Sequence, residues 1–314
     1  MTTGNRPLAG LRLALVGAGA VGGNLARWFA VRGAVVATVT ARPGSRRAAA
    51  LVAELGATPQ AVDELASAAC DLLLLAVPDE EIAPLAGRLA DRPQAAVALH
   101  VAGALDASVL APLAAAGSAA GTFHPLLAFS GLAASADPEP GIFFALDGDQ
   151  AAVELGRRLA AALGGRAAIV SGPIRPLYHL VATLLAGGVT TVAAAAFEIA
   201  RAAKLPEEAS DGFRQLSTRA LAGALAAAEP AAGITGPAAR GDLATFRTEA
   251  RTLDSTSPAA LPIVLALARE SLRQRARVAP ETPAQQRLRE ALERPDLLDR
   301  TGDRVLTFPP GRHG

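Results

Sequence analysis

Two hydrophobic rhythms divide the chain. Up to about residue 170, short apolar runs alternate with amphipathic stretches. The runs fall at residues 11–16, 34–40, 71–77, 95–100, 119–123, 142–146 and 167–170. Runs this short, rich in Leu and Val, read as strands of a sheet buried on both faces. Between them the pattern predicts helices at 20–32, from about 46 to 55, at 63–69, 80–90 (with Asp79 as its N-cap) and 150–163. Strands alternating with helices of this length predict a doubly wound α/β domain over residues 1–171. Beyond Gly172 the strand pattern stops. Segments 175–204, 207–229, 238–255, 259–277 and 283–293 read as helices separated by Gly, Pro and Ser. They predict an all-helical second domain over 172–290. The tail, 291–314, is expected to be poorly ordered.

The first strand runs into Gly17-x-Gly19-x-x-Gly22, and a helix follows at once. Strand, glycine turn and helix together make the dinucleotide-binding fingerprint of a Rossmann-type sheet. Gly17 allows the tight turn, Gly19 a close approach of backbone to pyrophosphate, and Gly22 close packing of helix on strand. The free N–H groups of Gly19, Ala20 and Val21 and the helix dipole then face the phosphates. An NAD site carries Asp or Glu after the second strand, for the ribose hydroxyls. Here Arg42 stands there, followed by Ser45, Arg46 and Arg47. Guanidinium groups suit a 2′-phosphate, so the expected cofactor is NADP. Arg46 and Arg47 also fit a solvated helix start. Val77 and Pro78, after the third predicted strand, and His100 to Gly103, after the fourth, are expected along the nucleotide crevice.

Composition narrows the classes. A net charge of +1 gives no reason to invoke nucleic acid or an acidic membrane surface. The chain has one cysteine, Cys70, so no intrachain disulfide forms, and a reducing cytoplasm fits. No His or Cys grouping has metal-ligand spacing, so no metal is expected. Segment 177–197 is long and apolar but carries His179, threonines and Gly187-Gly188. It is read as a buried central helix rather than a membrane span.

The candidate chemistry lies at three histidines. His100 and His124 end predicted strands, and His179 sits beside Tyr178 early in the second domain. Imidazole exchanges protons near neutral pH, which suits reduction of a carbonyl or imine. One such histidine would equally be structural; two at strand ends beside a nucleotide motif favour a site. Segment 233–245 interrupts an alanine-rich helical region with Gly, Pro and polar groups. Within it Arg240 is a candidate for a substrate carboxylate. Asp242 is a candidate for the site or an ordinary N-cap.

These motifs carry a resemblance. Gly17-x-Gly19-x-x-Gly22, Arg42, His100-Val-Ala-Gly103, His124-Pro125-Leu126, Tyr178-His179 and Thr235-Gly-Pro-x-x-Arg240-Gly-Asp242-x-x-Thr245 resemble the DUF2520 family, a Rossmann-like domain followed by a helical domain, over the chain to about residue 280. More remotely the layout is similar to pyrroline-5-carboxylate reductase, ketopantoate reductase and other 6-phosphogluconate-dehydrogenase-like enzymes. His124-Pro125 is also similar to a His-Pro element of prephenate dehydrogenases. The resemblance implies an NADP-dependent oxidoreductase, dimeric through its helical domain, which closes over the nicotinamide. The chain departs from the pattern where Gly187 replaces an Asn, Glu249 a His, and Arg175 a Lys. Lys204, the sole lysine, sits at a helix end, so a lysine mechanism is not expected.

The expected activity is hydride transfer between NADPH and a small, anionic C=O or C=N substrate. His124 or His179 would handle the proton, with Arg240 and Asp242 completing the site. The alternative, motivated by Gly187 and Glu249, is a non-catalytic NADP-binding regulator on the same fold. A cytoplasmic homodimer without nucleic-acid or membrane partners is expected.

Overall fold

The computed structural model describes residues 6–65, 67–92, 94–129 and 140–294. By contacts the chain forms two compact units, Met1–Gly187 and Gly188–Gly314. The first carries an eight-stranded sheet: β1 (Arg12–Val16), β2 (Val35–Thr40), β3 (Thr58–Gln60), β4 (Leu72–Leu75), β5 (Val97–His100), β6 (Ala119–Leu126), β7 (Phe143–Gly148) and β8 (Arg166–Ile169). Their spatial order is β3-β2-β1-β4-β5-β6-β7-β8. All neighbours are parallel except β6 and β7. The order reverses between β1 and β4, and beyond the carboxyl ends of such a pair an open α/β sheet has its ligand crevice.

The helices of this unit are α1 (Ala20–Val31), α2 (Arg46–Leu55), α3 (Asp79–Ala90), α4 (Ala111–Ala115), α5 (Gln150–Ala162) and α6 (Arg175–Thr183). Two cores flank the sheet. Leu72 and Leu74 of β4 join Leu25, Trp28 and Phe29 of α1 on one face; Leu73 and Leu75 join Ile82, Leu85 and Leu89 of α3 on the other. A strand's side chains alternate between faces, so four consecutive leucines can all be buried. Trp28 packs against Phe129, with ring centroids 5.9 Å apart.

The second unit is helical: α7 (Val189–Ala202), α8 (Glu207–Ala226), α9 (Pro237–Arg240), α10 (Leu243–Thr256), α11 (Leu261–Arg275) and α12 (Pro283–Leu292). Its core is small, with Phe246, Leu272, Leu288 and Leu292 at its centre. α8 buries no residue.

Several expectations are corrected. Residues 63–69 do not form one helix; two 3₁₀ turns, Val62–Glu64 and Ser67–Ala69, stand there. Asp79 does not cap α3, because Pro78 occupies the N-cap position without a side-chain bond. Asp79 instead joins Glu80 and Glu81 in the first turn, where the helix dipole favours acidic groups. The helix expected over 238–255 is interrupted at Gly241, whose φ of +72° ends α9. The largest correction concerns the long apolar segment. Gly172–Ala202 is long and apolar enough to cross a membrane, yet its most apolar 18-residue stretch has no buried residue. Leu177, Leu180, Val181, Leu184 and Leu185 are more than half exposed. A π turn, Leu184–Gly188, separates α6 from α7. The tail expected at 291–314 begins instead with the last residues of α12, and residues 295–314 lie outside the described ones.

Candidate functional site

β1 ends at Gly17, whose N–H donates to the Thr40 carbonyl at 2.8 Å. Its φ is +100°, in the region that favours glycine, and a Cβ there would lie 2.2 Å from the Ala76 carbonyl oxygen. A Cβ at Gly22 would meet the Gly17 carbonyl at 2.1 Å. These two glycines therefore let β1, α1 and the end of β4 converge. Gly19 differs: a Cβ there would meet nothing within 4 Å, so its backbone faces open space. Gly19 is also the N-cap of α1, with no side-chain cap and no acidic residue in the first turn. The first N–H groups of α1 are thus left to an external acceptor. This is the geometry that a dinucleotide pyrophosphate requires, and the residues present fit one.

That space opens into a cavity of about 360 Å³. Gly19, Ala20 and Val21 form one end, and Val77, Pro78 and Asp79 after β4 form a side. Val101 to Gly103 after β5, Pro125, Leu127 and Phe129 form further walls, and His124 and His179 face into it. Every lining residue belongs to the first unit. The structure thus brings Ala20, Val21, Val77, Pro78, Gly103, His124 and His179 together with the glycine turn.

Gly103 makes the pairing of histidines possible. A Cβ there would lie 2.3 Å from His179 Cδ2 and 2.7 Å from His124 Nε2. His124 stands in β6, opposite Ala145 of β7. His179 and Tyr178 come from the first turns of α6. The His124 ring meets His179 edge-on, with centroids 5.9 Å apart, and Tyr178 likewise at 5.6 Å. His124 Nδ1 and the Tyr178 hydroxyl are hydrogen-bonded at 2.9 Å. Burial above all, reinforced by repulsion from neighbouring basic groups, Arg175 among them, lowers the His124 pKa to about 4. Burial pushes the Tyr178 hydroxyl upward, partly opposed by Arg175. Near neutral pH His124 is an uncharged imidazole and Tyr178 an intact phenol.

His100 is a correction. It was expected to touch the nucleotide, but it is fully buried and does not line the cavity. The Ala102 N–H donates to its Nδ1 at 3.2 Å, so its Nε2–H donates to the Asp106 carbonyl at 3.1 Å. Both nitrogens brace the loop that carries Gly103. Burial holds its pKa at about 4.

Arg175 was noted in the sequence only as the replacement for a lysine. It is the largest fully buried side chain. Its guanidinium donates to the Val170 carbonyl at 2.8 Å and the Ala102 carbonyl at 3.0 Å, tying the start of α6 to the Gly103 loop. Its Nε finds no acceptor among the described residues. An arginine directly before an otherwise apolar helix was the available signal. Tyr178 was noted only as a neighbour of His179; its bond to His124 joins residues far apart in sequence.

The remaining candidates sit elsewhere. Arg42 and Arg46 are exposed just past β2 and make no ion pair among the described residues. The Ser45 hydroxyl accepts from the Ala48 N–H at 3.2 Å and caps α2. In the second unit, Asp242 accepts from the Thr245 N–H at 3.1 Å and caps α10, the structural role weighed for it. A Cβ at Gly241 would lie 2.4 Å from the backbone of Ala284 and Gln285, so the Arg-Gly-Asp glycine packs α9 on α12. Arg240 is exposed at the end of α9.

Two family models match: a Rossmann-like domain over residues 2–125 and a domain of unknown function, DUF2520, over residues 142–271. The chain carries a Rossmann-like domain followed by a DUF2520 domain. No curated protein matches it by sequence. Its fold is similar to that of a Bacteroides fragilis protein described provisionally as an NADP oxidoreductase (TM-score 0.71, 22% identity, 83% of this chain and 97% of that one). It is also similar to an imine reductase from Myxococcus stipitatus in complex with NADP+ (0.53, 16%, 90% and 92%). A pyrroline carboxylate reductase from Plasmodium falciparum with NADP bound is a third (0.50, 12%, 85% and 99%). The chain thus shares its fold with reductases whose structures hold NADP.

Proposed function

We propose that this protein is an NADP(H)-dependent oxidoreductase that moves a hydride to or from a small, anionic C=O or C=N substrate. One observation carries the reading: a single cavity joins the glycine turn of β1 and α1 to His124 and His179. When bound, the dinucleotide supplies or accepts the hydride. Gly19, Ala20 and Val21 present backbone N–H groups to its pyrophosphate. Val77, Pro78 and the Gly103 loop shape the part of the cavity beside the histidines. His124 and His179 supply the proton that a reduced heteroatom needs. Arg42 just past β2 and Arg46 at the start of α2, without an ion pair among the described residues, favour a 2′-phosphate and hence NADP over NAD. The likeness in fold to an imine reductase and a pyrroline carboxylate reductase supports a C=O or C=N substrate. Arg240, an exposed cation in an otherwise alanine-rich segment, is assigned to an anionic substrate group, with Asp242 fixing the turn that carries it. A cytoplasmic homodimer completes the reading, supported by the exposed leucines of α6 and the absence of a buried residue on α8.

Calorimetry with NADPH and NADH tests the cofactor. NADPH is expected to bind more tightly. An Arg42→Ala, Arg46→Ala double variant should lose about tenfold or more of that affinity while NADH is little affected. No NADPH binding by the wild-type protein would sink the reading. Turnover across cyclic imines, keto acids and hydroxy acids tests catalysis. Binding without turnover in any class would favour the regulator, which the exposed Glu249 and Gly187 in place of family polar residues motivate.

A further inference from the structure

The cavity holds two histidines, and the proposed reduction needs one proton donor. The surroundings of the two differ. His179 lies against His124 and Gly103, and among the described residues no hydrogen bond fixes its tautomer. His124 has a partner on each side. Its Nε2 lies by the Gly103 backbone, on the cavity wall, and its Nδ1 is held by Tyr178. Tyr178 is not among the residues that line the cavity and connects to it through its bond to His124.

We infer that Tyr178 is a positioning residue that fixes His124 as the Nε2–H tautomer and replaces the proton that His124 gives to the substrate. The inference rests on the reductase reading above. The direction of this bond is part of the inference. The Tyr178 hydroxyl makes no other hydrogen bond among the described residues, and its proton is given to the His124 Nδ1 lone pair; the opposite tautomer, with Nδ1–H donating to the hydroxyl oxygen, is the outcome that overturns it. A neutral imidazole that accepts at Nδ1 carries its own proton on Nε2, facing the cavity. His100 shows the same logic with the backbone as partner: it accepts at Nδ1 and donates from Nε2.

The step balances. The substrate carbon takes the hydride of the reduced nicotinamide nucleotide, and the π pair of the C=O or C=N bond moves to the heteroatom. The His124 Nε2–H bond breaks, and a heteroatom–H bond forms. The Nδ1 lone pair takes the Tyr178 hydroxyl proton, so His124 remains neutral throughout. The tyrosinate left behind lies in the field of the Arg175 guanidinium, which opposes the effect of burial on Tyr178. It regains a proton from water before the next cycle. In this scheme His124 never has to hold a cation in a site that holds its pKa near 4.

Nitrogen NMR of imidazole-labelled protein, free of nucleotide, reads the tautomer directly. Wild-type His124, assigned through His124→Gln, should show a protonated Nε2 and a bare Nδ1. Tyr178→Phe keeps the ring and the fold but should release His124 to a mixture of tautomers. Tyr178 is the only tyrosine in the chain, so biosynthetic fluorotyrosine labels it alone. Its fluorine resonance should move in His124→Gln, and the more acidic phenol should shift the pH profile of turnover. With an active substrate, Tyr178→Phe should lower kcat by about tenfold to a hundredfold with KM and NADPH affinity little changed. A wild-type His124 protonated on Nδ1, or an unchanged tautomer in Tyr178→Phe, overturns the inference. The NMR result stands without cofactor or substrate. Absent NADPH binding would therefore count against the reductase reading alone.

Discussion

At the scale of single residues, Gly103 decides whether the site exists. It is not in the left-handed region; its role is the close approach of two imidazoles to its Cα. Gly103→Ala should push His124 and His179 out of place. Turnover should fall by about a hundredfold, while the glycine turn at Gly17 is untouched and NADPH affinity is largely kept. Unchanged kinetics in that variant would mean that the histidines are not where the chemistry occurs. The same crowding has a pH signature. His100 and His124 are held near pKa 4, against an ordinary 6.5, by burial above all. The unfolded chain therefore binds more protons than the folded one between these values. Stability from both residues is present above pH 6.5 and drains away as the pH falls toward 4. One pKa unit is worth about 1.4 kcal/mol, so the loss is on the order of 3 kcal/mol for each histidine. Urea midpoints across this range should fall steeply in wild type and less steeply in His124→Gln.

At the scale of elements, the two-sided burial of Leu72–Leu75 and the glycine turn made the sheet, most of its helices and the glycine-turn end of the cavity legible from sequence. Strand periodicity and turn chemistry are local, and they are written locally. What escaped was non-local or marginal. β3 has three residues with Pro59 at its centre on a sheet edge, so no run announced it. His100 looks like His124 in the sequence because both follow short apolar runs; only the third dimension shows that its nitrogens are used by its own loop, while His124 lies inside β6. Arg175 belongs to the same class of surprise, since the carbonyls it holds come from two different segments. Arg175→Met should melt lower, by about 2 kcal/mol, because two buried carbonyls lose a charged donor. Arg175→Lys should not rescue it, since a single ammonium does not reproduce the fork. A melting temperature for Arg175→Met equal to wild type would show that the clamp contributes nothing.

At the scale of the whole molecule, the apolar outer faces of α6 and α8 set the expectation. Leu177, Leu180, Val181 and Leu184 recur at helical spacing on α6 and just beyond it, each more than half exposed. Leu216 and Leu225 of α8 are about two-thirds exposed. A stripe of this kind is covered in the functional state. A second copy is the proposed cover. Sedimentation should give twice the chain mass, and Leu180→Glu with Leu184→Glu should yield monomer. A wild-type monomer that floats with lipid vesicles would instead assign the stripe to a membrane. The sequence marked this segment as apolar but not what covers it, because hydropathy alone reads a core, an interface and a bilayer alike.

The chain has one tryptophan, and its position gives the protein an optical reporter. Trp28 is buried in α1 with its ring against Phe129, and Phe129 is part of the cavity wall. Intrinsic emission therefore comes from one indole a single side chain away from the ligand space. Reduced nicotinamide absorbs where indole emits, so filling the cavity should quench Trp28 and sensitise dinucleotide fluorescence. Titration by light alone then follows occupancy in real time, with no label attached and before any substrate has been found.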